Sequence, residues 1–438
     1  MHSILQCMRC GKQYPTNQVI YVCEACGGLL DVMHDMDWLK STVTRATFDS
    51  RLGTLDAPYN SGVWRYKEMI YPDLDADQIV SRPEGNTNLY KTPRLAQWAG
   101  LQTLYLKHEG ENPTGSFKDR GMTGGVTHAR VLGMKRVACA STGNTSASLA
   151  AYAAWSGIQG VVLMQNQQIA LGKLSQSIAY GATCIRVDGD FDTNLALVNQ
   201  LTKHADVYVL NSINPFRLEG QKSIMFEMVQ QLRWNVPDWV VVPGGNLGNS
   251  SSFGKALWEL KQLGLIDRMP RLAIVQAMGA NPLYRAFLTE FEKYEPVHAE
   301  TIASAIKIGN PVNYPKAVRA LEWTDGIVEQ VSDQEIMEAK ALIDRQGIGC
   351  EPASGCTLAG IKKLVAGGII QPHEKVVGLL TGHVLKDPDV TIHYHDGSLP
   401  DIQSVQPNRI YQSEASIESI VAILENQSPP QSIVAKPD

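Results

Sequence analysis

The sequence of 438 residues is longer than one compact hydrophobic core usually requires, which predicts two or three domains. Hydrophobic residues make up 44% and charged residues 19%, a balance that argues against an intrinsically disordered chain. The net charge of −5, with both signs interleaved, argues against a nucleic-acid or membrane-surface partner. No apolar run approaches the roughly 20 residues of a membrane span, and the N-terminus lacks a secretory pattern, so we expect a cytoplasmic protein.

Residues 1–40 contain two Cys-x-x-Cys pairs, each followed directly by glycine: Cys7 with Cys10, and Cys23 with Cys26. Two thiolate pairs at this spacing can bind one tetrahedral Zn²⁺. We therefore predict a zinc-ribbon-like N-terminal unit, with a strand at residues 19–22 between the two turns. Because it lacks a basic patch, a role as a structural or docking element is expected. Four free or redox-linked thiols are the alternative.

The rest of the chain predicts an α/β fold. Aromatic residues separated by Pro and Gly make residues 41–85 an N-terminal arm. From residue 86, short apolar runs alternate with helical patterns, which indicates a parallel sheet with helices on both faces. The predicted strands are 103–107, 136–140, 160–164, 182–187, 206–210, 238–242 and 376–380. The main predicted helices are 145–155, 170–180, 219–232, 250–263, 333–344 and 416–424.

Three loops of small residues stand where a predicted strand passes into a helix. In the first, a Pro-Thr-Gly turn leads to Lys118 at a helix start, where backbone donors favour anions. The second is the Ser-Thr-Gly-Asn sequence that ends at Asn144. The third, residues 243–249, offers consecutive backbone N–H groups without bulky side chains, which is typical of a phosphate nest.

The order of these three loops resembles the fold-type II family of pyridoxal-phosphate (PLP) enzymes, related to the tryptophan synthase β chain, and most closely its threonine synthases. The resemblance runs from about residue 27 to about residue 400. It implies a large PLP-binding lobe of residues 86–125 and 207–400, into which a small α/β lobe of residues 126–206 is inserted. Residues 401–438 would form a C-terminal helix and a flexible tail.

The resemblance also assigns the residues that hold the cofactor. Lys118, preceded by Phe117, would carry PLP as a Schiff base and act as the acid–base group, which requires a lowered pKa. Asn144 would hydrogen-bond the ring hydroxyl, and the neutral hydroxyl of Thr381 would leave the ring nitrogen unprotonated. The phosphate of PLP would lie against Gly244, Gly245, Asn246, Leu247, Gly248 and Asn249.

A second anion site is implied for the substrate. Residues 211–222 match the threonine synthase motif that binds the substrate phosphate. In it Arg217 offers a planar donor fork, and Asn211 and Ser212 add neutral donors. An ion pair of Arg217 with a nearby glutamate is the alternative. The remaining substrate-binding residues would be Ser141, Thr142 and Thr145, with the two threonines at the carboxylate.

The activity implied by the resemblance is that of a carbon–oxygen lyase acting on phosphates, which converts O-phospho-L-homoserine and water into L-threonine and phosphate. A homodimer is also implied. Plant-type members carry an S-adenosylmethionine effector site, which is mapped to no residue here. Two other functions remain open: another fold-type II enzyme, such as a threonine dehydratase or a cysteate or cysteine synthase, and a non-enzymatic zinc-ribbon binding protein.

Overall fold

The structure, a computed structural model, describes residues 2–165, 171–188, 197–198, 200–201 and 206–426. In chain order its strands are β1 (Ser3–Cys7), β2 (Gln13–Tyr14), β3 (Leu30–His34), β4 (Leu89–Lys91), β5 (Thr103–His108), β6 (Arg136–Ala140), β7 (Gln159–Gln165), β8 (Thr183–Val187), β9 (Val207–Val209), β10 (Trp239–Pro243), β11 (Arg271–Ala277), β12 (Ile327–Val331) and β13 (Lys375–Leu380).

The α-helices of the described residues are α1 (Met36–Thr42), α2 (Arg45–Asp49), α3 (Lys67–Ile70), α4 (Pro93–Ala99), α5 (Lys118–Val131), α6 (Asn144–Ser156), α7 (Leu171–Ala179), α8 (Pro215–Gln231), α9 (Gly248–Gln262), α10 (Pro282–Phe287), α11 (Tyr314–Thr324), α12 (Asp333–Arg345), α13 (Pro352–Ala366), α14 (Pro388–Asp396) and α15 (Ile417–Glu425). None of these helices is long and apolar enough to cross a membrane. Residue 170 of one predicted helix lies outside the described residues, as do residues 427–438 of the predicted C-terminal helix and tail.

Two sheets form the centre of the α/β fold. The larger has the order β12-β11-β10-β13-β5-β4 and is parallel except at β4. The smaller, β8-β7-β6-β9, is parallel throughout. Hydrophobic cores lie on both faces of the larger sheet, and alternate residues of β10 belong to different cores. Val240 and Val242 are part of one core, and Trp239 and Val241 are part of the other. Burial of both faces explains why β10 is an uninterrupted apolar run.

The N-terminal unit is built on an antiparallel sheet of order β2-β1-β3. The predicted strand at residues 19–22 is wrong, because only Val22 forms an isolated bridge, to Leu29. Val19 and Val22 remain exposed, so no apolar face holds this stretch in a sheet. Instead, Tyr21 packs against Tyr208, and its hydroxyl accepts a 2.7 Å hydrogen bond from the N–H of Val209.

Buried ion pairs join the N-terminal unit to the larger core. Asp31 lies 2.8 Å from the ammonium of Lys316 on α11 and 2.6 Å from Arg319. His34, whose pKa is lowered by burial, adds a hydrogen bond of 2.9 Å to Glu219 on α8. Because opposite charges and hydrogen bonds offset the cost of burying these groups, they fix how β3 sits on the helices.

Candidate active site

One cavity of about 1280 Å³ lies where the carboxyl ends of β5, β6, β9, β10 and β13 meet. This is the edge at which α/β sheets bind ligands. Fourteen of the predicted cofactor and substrate residues line it: Phe117, Lys118, Ser141, Thr142, Asn144, Thr145, Asn211, Ser212, Gly245, Asn246, Leu247, Gly248, Asn249 and Thr381. Gly244 and Arg217 do not line it.

Lys118 is held at the N-terminus of α5 by the end of β13. The N–H of Phe117 donates to the carbonyl of Thr381 over 3.0 Å, and the ammonium of Lys118 lies 4.3 Å from the centre of the Phe117 ring. Desolvation by the surrounding protein, aided by the positive charge of Arg217, lowers the pKa of Lys118 to about 7. The amine can therefore be neutral, and thus nucleophilic, close to neutral pH.

The loop before α9 fits a bound phosphate. Leu247 has a left-handed backbone (φ of 60°), which turns the chain into the helix N-terminus. Both polar atoms of the Asn249 side chain and the hydroxyl of Ser250 are buried without a hydrogen-bond partner among the described residues. Buried polar groups of this kind are normally satisfied, so a ligand with several acceptor oxygens would complete the site.

Glu351, to which the sequence analysis assigned no role, joins two of the predicted cofactor ligands. One oxygen of its carboxylate accepts from Nδ2 of Asn144 over 2.8 Å. The other accepts from the hydroxyl of Thr381 over 2.7 Å. The residue is buried, and this burial raises the pKa of the Glu351 carboxyl. Because these partners lie far along the chain, no local pattern could have indicated the arrangement.

Arg217 lies next to the cavity and is fully buried. Its Nη1 donates to the carbonyl of Leu210 over 2.8 Å, whereas Nε and Nη2 have no partner among the described residues. It forms no ion pair with a described glutamate, so the alternative of such a pair is not observed. Asn211 bonds the backbone of Ala140 through both polar side-chain atoms, at 3.1 Å each. Asn211 thereby ties β6 to the segment that leads into α8, the helix that contains Arg217.

A further lysine enters the cavity from the segment after β13. The ammonium of Lys386 donates over 2.5 Å to the side-chain oxygen of Gln176 on α7, and both residues line the cavity. Gln176 in turn donates to the carbonyl of Thr114 over 3.2 Å. The contact therefore links the small sheet's helices to the loop that leads to Lys118.

The four N-terminal cysteines come together away from this cavity. Their sulfur atoms all lie within 4.8 Å of one another, and all four thiols are free. Four thiolates around one Zn²⁺ would stand about 3.8 Å apart, given tetrahedral bonds of about 2.3 Å. The cluster Cys7, Cys10, Cys23 and Cys26 thus fits a tetrahedral metal ion.

The comparisons with known proteins agree with this geometry. Residues 80–382 match the family described as "Pyridoxal-phosphate dependent enzyme". Over 389 residues the chain is 50% identical to a threonine synthase of Methanocaldococcus jannaschii, covering 88% of this chain and 94% of that protein. Over 425 residues it is 41% identical to "Threonine synthase 2, chloroplastic" of Arabidopsis thaliana, covering 94% and 82%.

The chain belongs to the threonine synthase family. Like the rest of that family, it is a PLP-dependent enzyme. Its fold is also that of maize serine racemase, with a TM-score of 0.60 at 19% identity over 72% of this chain and 92% of that one. Residues 245–249 and residues 211 and 212 line the cavity, and the partnerless donors of Arg217 lie next to it.

Proposed function

We propose that the protein converts O-phospho-L-homoserine and water into L-threonine and phosphate, with Lys118 as the residue that carries the cofactor. The proposal rests on Lys118 in a cavity that has partnerless buried polar groups at two separate places, Asn249 and Ser250 at one and Arg217 at the other. One region suits the phosphate of the cofactor, and the other suits the phosphate of the substrate. A lyase acting on an unphosphorylated amino acid would need only the first.

Each group of this chain has a defined task in the proposal. When bound, PLP supplies the electron sink for bonds broken at the substrate's α and β carbons. The neutral amine of Lys118 takes the proton from the α carbon and later returns a proton. Phe117, Asn144 and Thr381 orient the ring. The backbone from Gly244 to Asn249 holds the cofactor's phosphate.

A second group of residues, in and next to the cavity lining, holds the substrate. Arg217, Asn211 and Ser212 bind its phosphate, both as an ester and while it leaves. A guanidinium suits this task because it stays charged and donates from a planar fork. Ser141, Thr142 and Thr145, at the N-terminus of α6, bind the remaining polar groups, with the carboxylate at the two threonines.

The test is chemical labelling followed by peptide mapping. Borohydride reduction should fix the cofactor on Lys118 in the wild type, and Lys118→Ala should carry no label and release no phosphate from O-phosphohomoserine. Lys386→Ala is the matched control, since it removes another cavity lysine and should remain labelled. A label on any other lysine of the wild type would sink the assignment.

We further propose that Cys7, Cys10, Cys23 and Cys26 bind one structural Zn²⁺. We also propose that the protein is a homodimer and that it is located in the cytoplasm. All eight cysteines are free, in keeping with a reducing compartment. Four exposed apolar residues of α15 support self-association: Ile417, Ile420, Val421 and Leu424.

A further inference from the structure

Three of the described lysines line the cavity, and one of them has neither a task in the proposed function nor a charged partner. Lys118 is assigned to the cofactor. Lys307 lies 2.7 Å from the carboxylate of Glu300, in an exposed ion pair. Lys386 forms no ion pair with any residue that the structure describes, although it also enters the cavity. Its positive charge is therefore available to a ligand.

The Lys386 side chain is held at the cavity by a neutral partner. Its ammonium donates to the side-chain oxygen of Gln176 over 2.5 Å. A lysine ammonium has three N–H donors, so two are left for a ligand. A Cβ atom at Gly115 would lie 3.0 Å from Cε of Lys386. The glycine in the turn before Lys118 thus leaves room for Lys386 to pass.

Burial makes this ammonium costly without an anion. Desolvation lowers the pKa of Lys386, and the carboxyl groups of Asp119 and Glu351 act against this shift. Glu351 also accepts a 2.8 Å hydrogen bond from Asn144, the first residue of α6. An anion bound beside the ammonium would favour its charged form further, so binding would offset part of the cost.

Lys386 lies on the side of the cavity where the substrate's carboxylate is expected. Its partner Gln176 belongs to α7, which packs against α6. The start of α6 and the loop before it contain Thr145 and Thr142, the residues proposed for the carboxylate. Arg217 is not among the charged groups that act on Lys386. The two cations are therefore placed to bind different groups of one ligand.

We propose that Lys386 binds the α-carboxylate of the substrate and adds a positive charge to the neutral hydroxyls of Thr142 and Thr145. The inference rests on the proposed function, in which the substrate carries both a carboxylate and a phosphate. Lys386 then selects amino acids over simple amines, whereas Arg217 selects a phosphorylated side chain. Recognition of the two anionic groups is divided between two cations.

The experiment compares two probes that differ only in the carboxylate. The first is the phosphonate analogue of O-phospho-L-homoserine, in which a methylene group replaces the ester oxygen, so that no phosphate can leave. The second is the same phosphonate without its α-carboxylate. Titration calorimetry of the PLP-bound enzyme measures both dissociation constants. Lys386→Met should weaken the first probe roughly 10- to 100-fold, as expected for the loss of a hydrogen bond to a charged group, and leave the second unchanged.

Three further variants make the comparison decisive. Arg217→Ala should weaken both probes, because both carry the phosphonate. Lys307→Met is the matched control, since it removes a cavity lysine whose charge is already paired, and it should change neither constant. Lys386→Arg keeps the charge and should bind the first probe more tightly than Lys386→Met does. If Lys386→Met does not retain the cofactor's absorbance, the smaller change Lys386→Gln takes its place.

An unchanged affinity of Lys386→Met for the first probe would overturn the inference. Equal weakening of both probes would also reject it, because the lysine would then serve the phosphate or the cavity's structure. A loss in Lys307→Met as large as that in Lys386→Met would show a general effect of charge instead of a contact. Wild-type holoenzyme that releases no phosphate from O-phosphohomoserine would refute the proposed function, and the calorimetric comparison does not depend on that release.

Discussion

Arg217 combines full burial with two unused donor groups, and this combination predicts its kinetic role. A buried cation without an anion is costly, and a bound phosphate would offset that cost. Arg217→Ala should lower kcat/KM for O-phosphohomoserine by roughly 30- to 1000-fold, equivalent to about 2–4 kcal/mol. The absorbance of the cofactor should remain, because its phosphate site is separate.

The exposed Arg94 provides a control, and Arg94→Ala should leave the same kinetic constants unchanged. Near-normal kcat/KM in Arg217→Ala would contradict the phosphate-binding role. Loss of the cofactor's absorbance in that variant would mean that the two phosphate sites are assigned in the wrong order.

The lowered pKa of Lys118 predicts a pH-dependent stability of the cofactor-free protein. Between pH 7 and the usual lysine pKa of 10.5, the unfolded chain binds one more proton at this residue than the folded chain. The free energy of unfolding therefore rises with pH across this window. The penalty, which is the destabilisation caused by burying the charged Lys118 ammonium, is largest below pH 7. Lys118→Met removes the penalty, so its stability advantage should shrink toward pH 10.5, by at most about 1.4 kcal/mol per pH unit.

Urea unfolding of the cofactor-free protein at pH 7 and pH 9 measures this difference. Lys91→Met, at an exposed lysine of β4, is the control and should show no such pH dependence. An advantage of Lys118→Met that is equal at both pH values would contradict the lowered pKa.

At the scale of elements, the crossing of α5 and α8 places Arg217 beside Lys118. A Cβ atom at Gly220 would lie 1.9 Å from the carbonyl oxygen of Arg120, and one at Gly124 would lie 2.7 Å from that of Phe216. The helices can approach this closely only through glycine. Gly220→Ala should therefore destabilise the protein by about 1–3 kcal/mol, as overpacking does in other cores.

Chemical denaturation of the two variants tests the crossing. Gly367→Ala is matched to Gly220→Ala, because Gly367 has an ordinary negative φ and the nearest atom, the carbonyl oxygen of Lys363, would be 3.4 Å from the new methyl group. It should be close to wild type. Equal stability of Gly220→Ala and wild type would show that the crossing tolerates a wider separation.

The elements show where sequence reasoning succeeds. Strand β6 coincides with its predicted limits, because a run of five residues is too short for a typical helix. The edge strand β12 was not predicted: it mixes Glu and Gln with Ile and Val, and among the described strands it pairs on one side only, with β11. Residues 19–22 were apolar enough for a strand, but pairing depends on a partner that the local sequence does not specify.

In the candidate site, too, features encoded in the local sequence could be predicted, and features that depend on distant residues could not. Glycines and small polar residues mark the phosphate loop because backbone donors need open space, and that requirement is visible in the sequence. Glu351 and Lys386 could not be recognised, because their hydrogen-bond partners lie 207 and 210 residues away. Their roles arise only when several strands end at one edge.

At the scale of the whole molecule, the N-terminal unit predicts a metal dependence that is separate from catalysis. The wild type should contain about one Zn per chain, since a structural site takes four ligands. Cys10→Ser should lose the metal and make residues 1–40 sensitive to limited proteolysis. Because the cysteines do not line the cavity, the absorbance of the cofactor should be unchanged.

Cys184→Ser is the control, since this half-buried thiol lies outside the cluster. It should retain both zinc and protease resistance. Wild-type protein that lacks metal, yet resists proteolysis over residues 1–40, would contradict a structural zinc site.

The hydroxyl of Tyr21 accepts a hydrogen bond from a backbone N–H of β9. Among the strands described, β9 is an edge strand of the smaller sheet. Outer strands are templates on which a second chain can add its own strand, and proteins usually protect them. The N-terminal unit also supplies Asp31 as counter-ion to Lys316. A chain without this unit would expose the edge of β9 and leave Lys316 without its counter-ion. We therefore expect such a chain to aggregate before it loses catalytic activity.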